Sequence, residues 1–299
     1  MSDATVKPGL MNIGEEAKPP HIVLPDPAAV FIARAKRFDS LAQGHVLEGY
    51  LKLIAGVCRA QTSIQKDLPP LAARPSDAQV EGPPFARDRD AAAAEAEVTF
   101  LELARALKAV DAPAEFKAVV DTIVSMQPAA RRMLLETTLA GADSGEDVAA
   151  HALAFAALQV HFTRLAATLS ADEIAAVPHG NCPVCDSPPV ASAVVSWPQA
   201  NNTRFCTCSL CASQWHVVRL KCVTCGTTEG VSYPHIEGHP DGLRAETCDT
   251  CKSYVKIVYQ VKEPALEPFA DDTASLDLDM VLRNEGWKRG GKNPFLLGY

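Results

Sequence analysis

Four Cys-x-x-Cys pairs stand in the second half of this 299-residue chain, at Cys182/Cys185, Cys208/Cys211, Cys222/Cys225 and Cys248/Cys251. A shift of 40 residues carries the first two pairs onto the last two, and with them Arg204 onto Arg244, Thr207 onto Thr247 and Ser213 onto Ser253. A fixed offset of this kind marks a duplicated structural unit. Two CxxC turns brought together supply four thiolates in a tetrahedron, the arrangement that Zn²⁺ and mononuclear iron favour. One CxxC alone is a weak signal, but two pairs separated by 22 residues have the spacing of a metal ribbon, and here that spacing occurs twice. The eight cysteines therefore predict two metal sites, with pairing inside each copy; pairing across copies, Cys182/Cys185 with Cys222/Cys225, stays open on spacing alone. The segments between the pairs are rich in β-formers: Val190, Val194, Val195 and Trp197, then Trp215, Val217, Val218 and Leu220, and in the second copy Tyr254, Val255, Ile257, Val258 and Tyr259. They predict two small antiparallel ribbons.

Ten cysteines would suit a secreted disulfide scaffold only in a much shorter chain, whereas CxxC pairs in a longer one point to metal or redox chemistry in a reducing compartment. The first twenty residues show no basic stretch followed by an apolar one, so no export signal is read there, and no apolar run approaches the roughly 18 residues needed to span a bilayer. The net charge of −8 disfavours a polyanionic partner. Within residues 181–260, six Lys and Arg face six Asp and Glu. A nucleic-acid-binding ribbon carries a basic excess, so that common use of zinc ribbons is disfavoured.

The first 178 residues read as an all-helical domain. Residues 1–25 are polar and expected to be loosely ordered. Asp26-Pro27 combines an N-cap carboxylate with proline at the first helical position, and Gly44 suits the stop. Leu47, Tyr50, Leu51, Ile54 and Cys58 follow helical spacing, with Cys58 read as a small buried hydrophobe. Prolines at 69, 70, 75, 83 and 84 exclude helix over 68–84. Helical patterning resumes near Asp90, then over 114–125, from Pro128 towards Leu139, and from a Ser144/Asp147 start through Leu169; Ser170 with Glu173 matches a capping box. The remaining boundaries are drawn as 179–219 and 220–262 for the two ribbons and 263–299 for a C-terminal helix and tail. That last helix is expected to open at Asp271-Asp272 as dipole-capping carboxylates, to dock Leu276, Met280 and Val281 inward, and to end at Gly286. The fold class expected is α+β.

The motifs together resemble the FdhE family of formate dehydrogenase accessory proteins. The resemblance is carried by Cys182-Pro-Val-Cys185, Cys208-Ser-Leu-Cys211 running on to Trp215-His216, Cys222-Val-Thr-Cys225 and Cys248-Asp-Thr-Cys251. It is carried also by the early run Arg34 to Gly44, by Ala270 to Asp279 and by Asn293-Pro-Phe-Leu-Leu297, so it spans nearly the whole chain. It implies a cytoplasmic maturation factor that acts on the catalytic subunit of respiratory formate dehydrogenase, carries iron in rubredoxin-like sites, and is not itself an enzyme. Iron is favoured over zinc on the resemblance, since the thiolates admit both. Cys206, which makes Cys-x-Cys-x-x-Cys, departs from the duplicated set, because a shift by 40 lands on Glu246. It is read as a buried thiol rather than an extra ligand.

Other residues carry less. His216 is expected at an exposed strand position, with a supporting contact to the metal ligands or a partner as the alternative role for it and Trp215. His235 and His239 fall in a Pro/Gly loop and are read as surface residues. No phosphate loop, nucleophile elbow or Ser/His/Asp set is evident. Two other functions compete with the accessory role: a CxxC thiol-redox protein, which needs a metal-free pair with a depressed thiol pKa, and a nucleic-acid-binding zinc ribbon. The oligomeric state is not legible.

Overall fold

The computed structural model describes residues 19–71, 82–87, 92–141, 147–177, 179–197, 200–234 and 241–296. After a two-residue strand at Ile22–Val23, six helices follow among the described residues: α1 Pro27–Ala42, α2 Glu48–Ile64, α3 Ala92–Leu107, α4 Ala114–Ser125, α5 Pro128–Leu139 and α6 Val148–Ala166. Local chemistry sets their starts. Asp26 Oδ1 accepts the Ala28 N–H at 2.9 Å with Pro27 behind it, and α5 likewise opens on proline. The expected start for α6 at Ser144 lies outside the described residues, and Asp147 stands at its N-cap without a side-chain bond. The Glu173 carboxylate accepts both the N–H and the hydroxyl of Ser170, completing the reciprocal cap of a 3₁₀ turn at Ala171–Glu173. Helix α6 is buried around nearly its whole circumference, and its alanines allow α3 and α5 to pack closely upon it.

The cysteine-rich half forms one sheet rather than two separate ribbons. Its strands are β1 Ile22–Val23, β2 Pro189–Trp197, β3 Ala200–Cys208, β4 Gln214–His216, β5 Val231–Ser232, β6 Leu243–Cys248, β7 Ser253–Tyr259 and β8 Lys288–Arg289. The order is β1-β4-β3-β2-β7-β6-β5, with β8 beside β7. Each copy of the repeat supplies an antiparallel hairpin, β2–β3 and β6–β7. The hairpins join through a parallel β2–β7 ladder with Ser192 opposite Ile257 and Val194 opposite Tyr259. Both central strands are buried along most of their length, the condition under which parallel pairing is found. The strand after Cys211 stops at His216, and Val218 and Leu220, expected within it, are exposed. At the β4 edge of the sheet, Ile22 and Val23 pair with Trp215 and Gln214, so part of the N-terminal stretch expected to be loose is a strand with a buried Ile22.

The C-terminal arm also differs from expectation. It holds two helices, α7 Pro268–Ala274 and α8 Leu276–Asn284, broken at Ser275. Glu267 is the N-cap, accepting the Ala270 N–H at 2.8 Å, so the first helix starts before Asp271. The break changes the helical phase: Leu278 and Leu282 point inward, whereas Met280 and Val281 are exposed. Asp272 caps nothing. It joins Asp279, Lys256 and Arg289 in a buried ion cluster, where Lys256 Nζ lies 2.7 Å from Asp279 Oδ2 and Arg289 Nη1 2.5 Å from Asp279 Oδ1. Asp271 does accept the Glu267 N–H, at 2.7 Å, and pairs with Arg37 of α1 at 2.6 Å.

Candidate metal centres

In each copy of the repeat the four thiols converge. The Sγ atoms of Cys182, Cys185, Cys208 and Cys211 lie within 4.8 Å of one another, and so do those of Cys222, Cys225, Cys248 and Cys251. Cys182–Cys211 and Cys185–Cys208 are 3.6 and 3.4 Å apart; Cys222–Cys251 and Cys225–Cys248 are both 3.7 Å apart. A tetrahedron of sulfurs about 2.3 Å from a central ion has an edge of about 3.8 Å, whereas a disulfide needs about 2.05 Å. The donor set thus fits a four-coordinate thiophilic ion, and the two tetrads of cysteines can hold two metal ions. The sulfurs gather within copies and not across them.

The four turns share one backbone design. The residue after each second cysteine is left-handed: Asp186 at φ 58°, Ala212 at 58°, Gly226 at 76° and Lys252 at 53°. That turn lets the following N–H reach back, as in Asp186 N–H to Cys182 O at 2.9 Å, Gly226 to Cys222 O at 3.0 Å and Lys252 to Cys248 O at 2.8 Å. Backbone N–H groups also point at sulfur, Val184 to Cys182 Sγ at 3.5 Å and Leu210 to Cys208 Sγ at 3.3 Å. Such donors favour the thiolate over the thiol. The repeat extends to hydroxyls: Ser213 Oγ is 3.2 Å from Cys211 Sγ, and Ser253 Oγ is 2.9 Å from Cys251 Sγ.

Surroundings break the symmetry. The first tetrad is buried at all four positions, as are the residues inside its two turns, Pro183, Val184, Ser209 and Leu210. The segment before α3 straps the first turn, Phe85 N–H to Val184 O at 2.9 Å and Arg87 N–H to Cys185 O at 3.0 Å. Gln159 of α6 holds the second by donating to Ser209 O at 2.8 Å. In the second tetrad Cys222 and Cys248 are buried, Cys251 is half-buried and Cys225 is exposed, and so are Thr224, Asp249 and Thr250 inside its turns. Without an ion, burial pushes the Cys182 and Cys208 thiols well above their ordinary value and Cys222 up to about 12. At Cys251 burial pushes upward too, but hydrogen bonds from the Ser253 hydroxyl and N–H outweigh it and bring the thiol down to about 7.

The remaining cysteines stand apart from both sets. Burial pushes Cys58 and Cys206 up to about 12, which makes them inert thiols at neutral pH. Glu246, where the shift by 40 from Cys206 lands, links the copies. Its carboxylate takes a buried ion pair from Arg204 of β3 and accepts the Val223 N–H, inside the third CxxC turn, at 2.9 Å. Arg204 is held in turn by Ser192 Oγ of β2 at 3.0 and 2.9 Å. Nothing in the spacing announced that role: Glu246 stands in a strand, Leu-Arg-Ala-Glu-Thr-Cys, that already carries Arg244 and Thr247, so its carboxylate does not stand out in the sequence. Trp215 is fully buried opposite Cys206, so it offers no surface to a partner. His216 is half-buried, its ring edge-on to Phe205 at 5.9 Å. His235 and His239 lie outside the described residues. Among the described residues, no helix is long and apolar enough to cross a membrane.

Three family models match the chain in succession: "FdhE, N-terminal" over residues 19–179, "FdhE, central domain" over 181–219 and "FdhE, C-terminal domain" over 220–296. A protein of Rhizobium meliloti (strain 1021) described as an FdhE homolog is 36% identical over 310 residues, covering 100% of both chains. An FdhE homolog of Stutzerimonas stutzeri (strain A1501) is 33% identical, over 99% of this chain and 98% of its own. The crystal structure of the FdhE protein from Pseudomonas aeruginosa superposes with a TM-score of 0.85 at 30% identity, covering 93% of this chain and 99% of that one.

Proposed function

The chain belongs to the FdhE family, and from that footing we propose that it is an accessory protein in the maturation of respiratory formate dehydrogenase. It binds the enzyme's catalytic subunit in the cytoplasm through a sheet that carries two metal-loaded tetrads. The ligands are Cys182, Cys185, Cys208 and Cys211 for one ion, and Cys222, Cys225, Cys248 and Cys251 for the other. Iron is the metal we favour. A ferrous or ferric ion in four thiolates can pass one electron, with a potential set by hydrogen bonds to sulfur such as those from Leu210 and Ser253. Zinc in the same cage would serve the fold alone. A tetrad with every position filled leaves no vacancy for a substrate, which favours an accessory role over a hydrolytic one.

The observation that supports this reading most is the gathering of all eight paired cysteines at tetrahedral edge lengths inside a chain that resembles FdhE proteins end to end. The thiol-redox reading draws less support, because six of those eight cysteines are buried. Anaerobic co-purification with metal quantified in the same sample tests the proposal. Two metals per chain, visible iron–thiolate bands and retention of the formate dehydrogenase catalytic subunit are expected. Full formate dehydrogenase activity in a strain lacking this protein would overturn the accessory role, and colourless protein with two zinc ions would overturn the choice of iron.

A further inference from the structure

We infer that the two tetrads are chemically unequal: the first is locked within the fold, and the second is an exchange site where an external thiolate can replace Cys225. This rests on the reading of both tetrads as metal sites and adds a distinct role for each. Ligand exchange at a filled four-coordinate ion needs a face from which a fifth ligand can approach. Among the described residues, the first tetrad presents no such face. Its turns carry Val184 and Leu210 into the apolar core, the strap of Phe85 and Arg87 covers one of them, and α6 grips the other through Gln159. An incoming ligand would have to part the sheet from the helices first.

The second tetrad is covered on one side only: Val223 is buried and its carbonyl accepts the Gly180 N–H at 2.7 Å, but among the described residues no helix holds the turn that carries Asp249 and Thr250. Thr224, Asp249 and Thr250 replace the buried residues of the first copy and face solvent, and Cys225 is itself exposed. The other side of the same site is anchored. Cys222 and Cys248 are buried, the Cys222 N–H is tied to Thr227 O at 2.8 Å, and the neighbouring Val223 N–H is tied to Glu246. Cys225 can therefore swing away while two buried ligands hold their places. In the exchange the incoming thiol gives up its proton and its sulfur bonds to the ion; the Cys225 sulfur leaves the ion and takes up a proton. One metal–sulfur bond forms, one breaks, and no electron is gained or lost. The ligand class is a thiolate, from a small thiol or from a cysteine of a partner protein.

The test uses the full chain loaded with two equivalents of Zn²⁺ and mixed with excess chromophoric chelator. One equivalent should leave about a hundredfold faster than the other, the factor given by about 3 kcal/mol between local openings. Cys225→Ser should bind one equivalent and keep only the slow phase, with an unchanged helical circular dichroism signal. Cys251→Ser serves as the second variant and should do the same. Glutathione and a metal-free peptide containing four cysteines are added in separate arms. Acceleration of the fast phase by either supports exchange, and the more effective one identifies the source of the thiolate. Release of both equivalents in one phase, loss of the slow phase in both variants, or no acceleration in either arm would overturn the inference. A chain that takes up no metal defeats the metal reading itself, which is a separate result.

Discussion

At the scale of single residues, the duplicated turns differ in what they tolerate at one position. Asp186, Ala212 and Lys252 adopt the left-handed conformation with a side chain, whereas the third turn has Gly226. A Cβ there would lie 2.8 Å from the His179 ring. Gly226→Ala thus combines a crowded contact with a conformation that costs an L-residue about 1–2 kcal/mol. The melting temperature should fall, and the second tetrad should lose metal while the first keeps it. Ala212→Gly, which relieves the same strain at the first tetrad and adds backbone freedom of similar size, should stay within about 1 kcal/mol of the parent. Metal content and thermal melts of the two variants check this. Cys206→Ala should retain both metals, because that thiol lies outside both sulfur clusters; a one-metal product would make it a ligand. The gathering of the paired cysteines into two clusters was legible because the CxxC spacing and the 40-residue repeat fix both turn length and pair separation. The inequality of the tetrads was not read from the sequence, because the repeat makes the copies look alike and only the neighbours of each turn show which is covered.

At the scale of elements, the ion pair between Arg204 of β3 and Glu246 of β6 crosses the two central strands and is buried at both ends. Removing one member leaves a buried charge alone, at a cost of about 3–5 kcal/mol, while an apolar replacement of both can come close to neutral. Glu246→Leu and Arg204→Met should each lower the urea midpoint strongly, and the double variant should recover most of the loss. Additive losses would show that the residues act apart. Glu246→Leu should also loosen the second tetrad, since the Val223 N–H loses its acceptor. Helices were well legible: 114–125 and Pro128–Leu139 were both read from apolar spacing and proline, chemistry confined to a few neighbouring residues. The parallel β2–β7 ladder, the short β1 and the break at Ser275 were not, because each depends on partners far away in sequence. Two hairpins with strong local signals look complete until the buried faces of Val194 and Ile257 have to be covered.

At the scale of the whole molecule, hydrogen bonds, an ion pair and ring packing tie the sheet to the helices. The first tetrad is tied to the helical layer by Phe85, Arg87 and Gln159, and the C-terminal arm returns to it through Arg37–Asp271 and the edge-on packing of Phe38 with Phe295. Stripping the first site should therefore melt helix as well as sheet, whereas emptying the second should not. Acid adds a second route to the same transition through α6. Burial, with a smaller contribution from Arg164, pushes His161 down to about 4, and its Nε2 sits 3.7 Å from Glu95 without a hydrogen bond. The unfolded chain takes up this proton near pH 6.5 and the native chain only near 4. The neutral imidazole thus contributes its full share of stability above pH 6.5, and loses it progressively as pH falls towards 4. Between about pH 7.5 and about pH 5 the loss amounts to about 2 kcal/mol. His161→Leu fills the site without a titrating group, so its urea midpoint should fall less over that interval than the parent's. Acid release of metal lowers both curves alike, and it is the difference between them that reads the histidine. Parallel curves for the two proteins would show that His161 takes its proton in the native state as readily as in the unfolded one, and that α6 is open to water along that face.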